Sequence, residues 1–187
     1  MNFNYVDEFL QIGHELFLSG LNNFHSGNMS IRYGDLIYIT ASGSKLGFLK
    51  KNDIVMVSLK KQVSSRASIE LPIHRAVYEN SDYKAIVHAH APYSVACSLY
   101  NRNNIKLVDG EGQFYFPEGI QVLEAANTVG SEEVAEKIKT MSNNNKVIIV
   151  KGHGLFAFGQ TLTEAAKWIS AVEHSMKILH IYGARKD

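Results

Sequence analysis

The fold is organised around one short apolar stretch, Ala85-Ile86-Val87-His88-Ala89-His90-Ala91. Its length and its β-branched residues predict a buried strand. Successive side chains of a strand point to opposite faces, so His88 and His90 are expected to project from the same side. Two imidazoles held on one strand face form half of a metal site. The alternative is that one ring is buried and hydrogen-bonded while the other is exposed, because such pairs often occur without a metal.

The composition indicates an ordinary globular protein and excludes some classes of function. The 187 residues favour one domain spanning 1–187, which is long enough to bury a sizeable core. The formal net charge of +1, without a basic run, argues against a nucleic-acid binder that relies on bulk charge. Cys97 is the only cysteine, and no secretory signal or bilayer-spanning run is visible. We therefore expect a cytoplasmic protein without nucleic-acid or membrane partners.

Hydrophobic periodicity and turn residues predict a mixture of strands and helices. The predicted helices span about residues 5–20, 68–78, 92–100, 131–141 and 162–182. The predicted strands span about residues 29–33, 36–40, 54–58, 85–91, 146–150 and 155–158. Residues 101–113 look irregular, and the aromatic run 114–116 fits an edge strand, a core plug or an interface patch. The hairpin signal at Gly34-Asp35 and the lack of strict alternation indicate a largely antiparallel or mixed sheet flanked by helices.

Two loops of small polar residues could hold an anion. One covers residues 22–28, and the other is Ala41-Ser42-Gly43-Ser44. Loops of this kind can wrap backbone N–H groups and hydroxyls around a phosphate. Each loop is also explained as an ordinary turn, so neither predicts a ligand by itself.

Three histidines occupy strand positions or strand ends, because His153 joins His88 and His90. His153 follows an apolar strand and lies between two glycines, where the backbone can turn sharply and approach a ligand. Three imidazoles with one exchangeable position are typical of a catalytic divalent-metal site, most often zinc. Glu70, just before Pro72 at the start of a predicted helix, could supply a fourth ligand or a base beside the metal. It is also explained as a helix-start residue whose charge the helix dipole favours.

Five short motifs occur in the order and rough spacing of one enzyme family. They are Gly27-Asn28-Met29-Ser30, Thr40-Ala41-Ser42-Gly43, Ser68-Ile69-Glu70-Leu71-Pro72-Ile73-His74, His88-Ala89-His90-Ala91 and Lys151-Gly152-His153-Gly154-Leu155. On these motifs the chain resembles the class II aldolase/adducin-head family over nearly its whole length, and within it the fuculose-1-phosphate aldolase-like enzymes. The resemblance implies an α/β fold, namely a single-domain α/β/α layered structure with a central, mainly antiparallel sheet flanked by helices.

The resemblance also implies a site and a reaction. The zinc ligands of the family match His88, His90 and His153. The positions that hold the substrate phosphate match Asn28, Ser42, Gly43 and Ser68. Glu70 matches the acid/base carboxylate, which also closes the metal shell when substrate is absent.

The implied enzyme is a zinc-dependent aldolase, although another divalent metal is compatible. It reversibly cleaves a phosphorylated, fuculose-1-phosphate-like ketose to dihydroxyacetone phosphate and an aldehyde, through a metal-stabilised enediolate. Enzymes of this kind are typically four-fold homotetramers with active sites at subunit interfaces. The implied partners of the chain are therefore a small phosphorylated sugar and further copies of itself.

Some residues depart from the fuculose-phosphate pattern and leave alternatives open. Ile69 replaces a second serine, and His25 replaces a small hydroxyl residue, which bears on the substrate more than on the reaction type. The residue that protonates the leaving aldehyde could be Asp109, Glu111 or Tyr115. The alternative functions are a pentulose-phosphate 4-epimerase, a methylthioribulose-phosphate dehydratase and a non-catalytic adducin-like binding module. Glu70 argues against the dehydratase, because the resemblance implies that dehydratases of the family lack a carboxylate there.

Overall fold

The chain folds around an eight-stranded sheet in a computed structural model that describes residues 5–60, 64–100 and 103–183. In chain order the strands are β1 (Asn28–Tyr33), β2 (Leu36–Thr40), β3 (Ile54–Ser58), β4 (Ala85–Ala89), β5 (Asn104–Ile105), β6 (Ile120–Leu123), β7 (Val147–Val150) and β8 (Gly154–Gly159). They lie side by side in the order β3-β2-β1-β4-β8-β7-β6-β5. The strand that carries the histidine pair therefore lies in the middle of the sheet.

The sheet is mainly antiparallel, as expected. Among the strands described, only β6 and β7 pair in parallel. β4 pairs with β1 on one side and with β8 on the other, where Ala89 lies opposite Leu155. All residues of β4 are buried, because the sheet is covered on both faces.

The described helices cover both faces of the sheet. They are α1 (Tyr5–Leu18), α2 (Leu71–Asn80), α3 (Pro92–Tyr100), α4 (Gly110–Tyr115), α5 (Glu132–Met141) and α6 (Leu162–Gly183). Val87 of β4 packs in a buried cluster with residues of α1, α3 and α6. Its neighbour Ile86 packs in a second cluster with residues of α2 and α5. Within the described ranges, no helix combines the length and the apolar character needed to cross a bilayer.

Side chains alternate between the two faces of the sheet along β4, and this alternation decides which face His88 points to. His88 is two residues after Ile86, so its side chain points to the layer formed by α2 and α5. The start of α2 approaches the sheet on this side and brings Glu70 close to the ring of His88. The position of the histidine pair thus follows from the same pattern that builds the core.

The predicted fold class is confirmed, and most predicted elements are present. The hairpin of β1 and β2, strand β3 and helix α3 lie where the sequence predicts them. Helix α1 ends as expected near Gly20, which has a φ of +68° and donates its backbone N–H to the carbonyl of Phe17 at 3.0 Å. The helix predicted from Ser68 begins later, at Leu71.

The prediction for residues 101–113 is wrong in part. Residues 101–102 lie outside the described ranges, but those that follow include β5 and the first turns of α4. Two glycines in α4 conceal the helix in the sequence, whereas Asp109 caps it by accepting the backbone N–H of Gly112 at 2.9 Å. The aromatic run 114–116 ends this helix and is not an edge strand, and Phe116 is buried while Phe114 is exposed. Strand β6 was not predicted.

Candidate functional site

Three histidines that are far apart in the sequence meet at one end of the sheet. His88 lies in β4, His90 lies just beyond its end, and His153 lies in the turn between β7 and β8. Because β8 pairs with both β4 and β7, this turn lies beside the end of β4. Ring nitrogens of the three side chains all lie within 4.8 Å of one another. The structure therefore brings the predicted triad together.

The ring of His88 is oriented by groups behind it. Its Nδ1 lies 2.9 Å from the carbonyl oxygen of Leu155, to which it can donate, and the ring stacks on Phe156 with centroids 4.1 Å apart. A neutral imidazole that donates from Nδ1 keeps its lone pair on Nε2. That Nε2 lies 2.9 Å from Nε2 of His90. Proteins commonly orient metal-binding histidines with such a carbonyl partner.

The backbone around the histidines is packed too closely for larger residues. A Cβ on Gly154 would lie 2.9 Å from Cε1 of His88. A Cβ on Gly27, whose φ is +80°, would lie 2.6 Å from the carbonyl oxygen of His88 and 2.6 Å from Nδ2 of Asn22. The other side-chain atom of Asn22, Oδ1, accepts the backbone N–H of His90 at 2.9 Å. Asn22, which the sequence did not single out, therefore ties the polar loop to the end of β4.

Burial keeps the three histidines neutral. It lowers the pKa of His90 to about 4, and the neighbouring His153 adds to the effect. Burial also holds the pKa of His88 well below its ordinary value, with further lowering from the other two rings. The pKa of His153 is lowered by burial too, against an opposing hydrogen bond with the backbone of Thr128. Neutral imidazole is the form that offers a lone pair to a metal ion.

Glu70 places a carboxylate against these rings. It occupies the N-cap position of α2, but its side chain makes no capping hydrogen bond and is only 3% exposed. Its Oε1 lies 3.8 Å from Nε2 of His153 and accepts the backbone N–H of Gly130 at 3.1 Å. Its Oε2 lies 3.9 Å from Nε2 of His88. A role in starting the helix therefore does not account for where the carboxylate lies.

The acidity of Glu70 is changed by the same burial. Burial raises the pKa of Glu70 to about 7, and the hydrogen bond from Gly130 acts in the opposite direction. A carboxyl group with a pKa near neutrality can both take up and release a proton under physiological conditions. The side chain therefore has the acidity of a general acid–base group.

The donor atoms fit a divalent metal ion. Oε2 of Glu70 is buried, and no described residue forms a hydrogen bond with it. Leaving a buried carboxylate oxygen unsatisfied is costly, and a bound cation would satisfy it. Three neutral imidazoles with a carboxylate beside them suit zinc and several other divalent metals. The triad could therefore hold such an ion with Glu70 at its side.

A cavity of about 220 Å³ joins the histidines to the polar loops. Its walls include the triad, Glu70 and the four predicted phosphate-holding residues, Asn28, Ser42, Gly43 and Ser68. Gly43 has a φ of +72°, and Ser68 accepts the backbone N–H of Glu70 through its Oγ at 3.2 Å. The structure therefore brings the predicted metal-binding and anion-binding residues to one pocket.

The three candidates for protonating an aldehyde lie elsewhere in the described part of the chain. None of them contributes to the wall of this pocket. Asp109 caps α4, and its Oδ2 also accepts the hydroxyl of Ser175 at 3.1 Å. Tyr115 packs against Trp168 with ring centroids 5.4 Å apart, and Glu111 is exposed on α4. A single chain therefore does not bring these side chains to the triad.

One buried polar residue near the pocket had no assigned role in the sequence. His74 lies one helical turn after Glu70 and is fully buried. Its Nδ1 lies 2.6 Å from Oγ of Ser30, and its Nε2 lies 2.7 Å from Oδ1 of Asn28. Burial lowers the pKa of His74 to about 3, so the ring is neutral. The only signal for this residue was its spacing of one turn from Glu70 within the same motif.

Comparison with known proteins identifies the family of this chain. The family model described as Class II Aldolase and Adducin N-terminal domain matches residues 7–180. The chain belongs to the class II aldolase family. A relative from Methanococcus vannielii, named L-fuculose phosphate aldolase, is 34% identical over 183 residues and aligns over 94% of this chain and 96% of its own length.

Two further relatives describe the branch of class II aldolases to which the chain is similar. The crystal structure of L-fuculose-1-phosphate aldolase from Thermus thermophilus superposes with a TM-score of 0.93 at 30% identity, over 97% of this chain and 95% of that one. A protein from Rhodospirillum rubrum, named 5-methylthioribulose-1-phosphate/5-deoxyribulose-1-phosphate aldolase, is 30% identical over 158 residues, which cover 82% of this chain and 70% of that protein.

We expect the metal-free form of the protein to lose stability as the pH falls below about 6.5. His74 and the three histidines of the triad have lower pKa values in the folded state than in the unfolded chain, so the unfolded state binds more protons. Glu70 has a raised pKa and opposes the trend, but it is one group against four. Urea denaturation at several pH values should show a fall on the order of 1 kcal/mol per pH unit. A free energy of unfolding that rises on acidification would contradict the prediction.

Replacing one histidine of the triad should remove the metal. In His153→Ala the remaining two imidazoles cannot complete a three-nitrogen site, so the affinity for zinc should fall on the order of 100-fold or more. Metal content per chain after dialysis, measured by mass spectrometry, is the readout. His174→Ala is the matched control, because His174 is exposed on α6. Equal metal content in both variants would show that His153 is not a ligand.

Proposed function

We propose that the chain is a metal-dependent aldolase that reversibly cleaves a phosphorylated ketose to dihydroxyacetone phosphate and an aldehyde. One observation supports this function above the others. The cavity wall combines three neutral imidazoles, a buried carboxyl group with a pKa of about 7, and two polar loops. Cleavage of the bond between the α and β carbons of a ketone needs these three parts: a cation that stabilises the developing negative charge, a group that moves a proton, and residues that bind the substrate in a fixed position.

His88, His90 and His153 would hold the metal ion, zinc or another divalent cation. When bound, the ion supplies Lewis-acid stabilisation of negative charge on the oxygens of the substrate. The role of the histidines is to stay neutral and fixed, which their burial and the Leu155 carbonyl behind His88 achieve. Rigid ligands keep the cation in one position relative to the rest of the pocket.

Glu70 would move the proton. In the condensing direction it removes the proton from the hydroxyl-bearing carbon of dihydroxyacetone phosphate, and in the cleaving direction it returns that proton. Gly130 holds Oε1 through its backbone N–H, which leaves Oε2 available on the side of the triad. A pKa of about 7 means that both protonation states are populated near neutral pH.

The polar loops would hold the phosphate. Asn28, Ser42 and Ser68 offer amide and hydroxyl groups, and Gly43 lies in the same wall with a φ of +72°, the left-handed conformation that occurs in backbone anion sites. Together they would fix one end of the substrate while the reacting carbons lie near Glu70. Holding a substrate in the reactive geometry removes a large part of the barrier as entropy.

We also propose that the working form is a homotetramer with its sites at the subunit interfaces. The side chain of Asp109 is engaged within its own chain, whereas Glu111 is exposed on α4 and Tyr115 is partly exposed. Either residue from a second copy could take the hydroxyl proton as the aldehyde forms during cleavage, and return it to the aldehyde oxygen during condensation. Large apolar side chains are also exposed at the pocket and on α4, as expected for a surface that another copy covers: Ile69, Val129 and Phe114.

A second candidate reaction is favoured by the relative from Rhodospirillum rubrum, whose name specifies methylthioribulose and deoxyribulose phosphates. Those names describe an aldolase as well, so the two candidates differ in the aldehyde and not in the bond that breaks. The buried carboxylate of Glu70 against the triad supports cleavage over dehydration, while 4-epimerisation uses the same parts. Product analysis separates these possibilities.

Ketose 1-phosphates should release dihydroxyacetone phosphate when incubated with the zinc-loaded protein. The test set includes L-fuculose 1-phosphate and 5-deoxyribulose 1-phosphate, and the products are identified by NMR and by a coupled assay. Heat-denatured protein is the control for spontaneous breakdown. An epimer that keeps all the carbons of the substrate would show that the protein is an epimerase. A dehydrated ketone formed without cleavage would show that it is a dehydratase. Either product in place of dihydroxyacetone phosphate would contradict the proposed aldolase function.

Glu70→Gln should retain the metal and lose turnover. The amide is nearly isosteric with the carboxyl group but cannot accept the substrate proton, so kcat should fall on the order of 100-fold to 10,000-fold. Glu79→Gln is the matched control, since Glu79 is exposed on the same helix. Metal content and kcat are measured on both variants. Full activity in Glu70→Gln would remove Glu70 from the mechanism.

A further inference from the structure

A row of four buried polar side chains runs through the protein and ends at the pocket. The hydroxyl of Tyr78 lies 2.7 Å from Oγ of Ser30, which lies 2.6 Å from Nδ1 of His74. Nε2 of His74 lies 2.7 Å from Oδ1 of Asn28, and Asn28 forms part of the pocket wall. Each of the four side chains is at most 5% exposed. Such a row is fully hydrogen-bonded only if its donors and acceptors alternate.

The row has two possible directions, because a neutral imidazole carries one N–H group. In the first direction the hydroxyl of Tyr78 donates to Oγ of Ser30, that hydroxyl donates to Nδ1 of His74, and Nε2–H donates to Oδ1 of Asn28. The amide N–H groups of Asn28 then face the pocket. In the second direction every bond is reversed, and Asn28 presents its oxygen to the pocket instead. At this point the pocket wall therefore carries hydrogen-bond donors in the first direction and an acceptor in the second.

The amide atom that faces His74 favours the first direction. Nε2 of His74 lies 2.7 Å from Oδ1 of Asn28, and an amide oxygen can only accept, so Nε2 carries the proton. Nδ1 of the neutral ring is then the acceptor for the hydroxyl of Ser30. The far end of the row does not set the direction, because the hydroxyl of Tyr78 lies 3.0 Å from the backbone carbonyl oxygen of Ser30 as well as 2.7 Å from its Oγ.

We propose that His74 is a positioning residue that fixes the amide of Asn28, so that both its N–H groups are directed at the phosphate of the substrate. The inference rests on the proposed role of Asn28 in phosphate binding. Without a donor behind it, the amide could rotate and present an acceptor oxygen, which repels an anion. His74 lies on α2 one turn after Glu70, so one helix start would orient both the proton-moving group and the anion-binding amide.

The tautomer of His74 tests the direction of the row in the wild-type protein. Long-range ¹H–¹⁵N NMR of ¹⁵N-histidine-labelled protein distinguishes a protonated Nε2 from a protonated Nδ1. Nuclear Overhauser contacts between the ring of His74 and that of Phe156, whose centroid lies 6.2 Å away, assign the signal in the wild-type protein itself. The expected result is a neutral ring with the proton on Nε2. A proton on Nδ1 would overturn the inference whatever the protein binds.

Two substitutions of His74 separate positioning from packing. The amide nitrogen of glutamine can occupy the place of Nε2 and donate to Asn28, whereas that of asparagine reaches only the place of Nδ1. We expect His74→Asn to weaken the binding of inorganic phosphate about tenfold and to raise KM more than it lowers kcat. His74→Gln should stay within about threefold of wild type. Phosphate affinity is measured by calorimetry on zinc-loaded protein, with metal content and melting temperature determined for each variant.

The outcomes distinguish this inference from the proposed function. Weak phosphate binding in His74→Asn with recovery in His74→Gln, at similar melting temperatures, supports positioning. Wild-type affinity in His74→Asn, or an equal loss in both variants, would overturn it. If the wild-type protein itself binds no phosphate, the proposed phosphate role of Asn28 is wrong, and the inference is overturned with it. If neither variant folds, the tautomer measurement on the wild-type protein still decides the direction of the row.

Discussion

The antiparallel pairing of β4 with β8 is the constraint on which the site depends. β4 carries His88 and leads to His90, whereas His153 reaches them only because β8 continues the turn that follows β7. The pairing is held by side chains that are buried on both faces of the sheet, so the register cannot slip without exposing the core. Gly154 allows the strands to approach closely where the rings meet. The geometry of the triad, which could hold a metal ion, is thus set mainly by the pairing and packing of the sheet.

Burial of ionisable groups explains much of the chemistry of the pocket. The low-dielectric surroundings keep the histidines neutral and raise the pKa of Glu70, so the donors are ready for a cation and the carboxyl group is ready for a proton. This arrangement has a cost, because an unsatisfied carboxylate oxygen lies in the interior. Membership of the class II aldolase family is consistent with a site that accepts this cost for the sake of function.

The sequence predicted those features that a local pattern determines. Strand alternation in residues 85–91 placed the two histidines on one face, and β-branched runs located the inner strands. The convergence of His153 with them was an expectation from residue types and from family resemblance, because pairing between distant strands leaves no local signal. Helix α4 was missed since its glycines conceal a helix that depends on the Asp109 cap and on packing against α6. The roles of Asn22 and His74 could not be predicted, because each depends on hydrogen bonds to residues far away in the chain.

The strand order also has a consequence for how the protein is made. β8 lies between β4 and β7, although it comes last in the chain among the described strands. Without β8 the strand order leaves two separate groups, one ending at β4 and the other at β7, each with an unpaired inner edge. Both edges are apolar and able to pair with other chains. The two halves of the sheet therefore cannot be joined before β8 has been synthesised, and until then their inner edges are open to pairing with other chains.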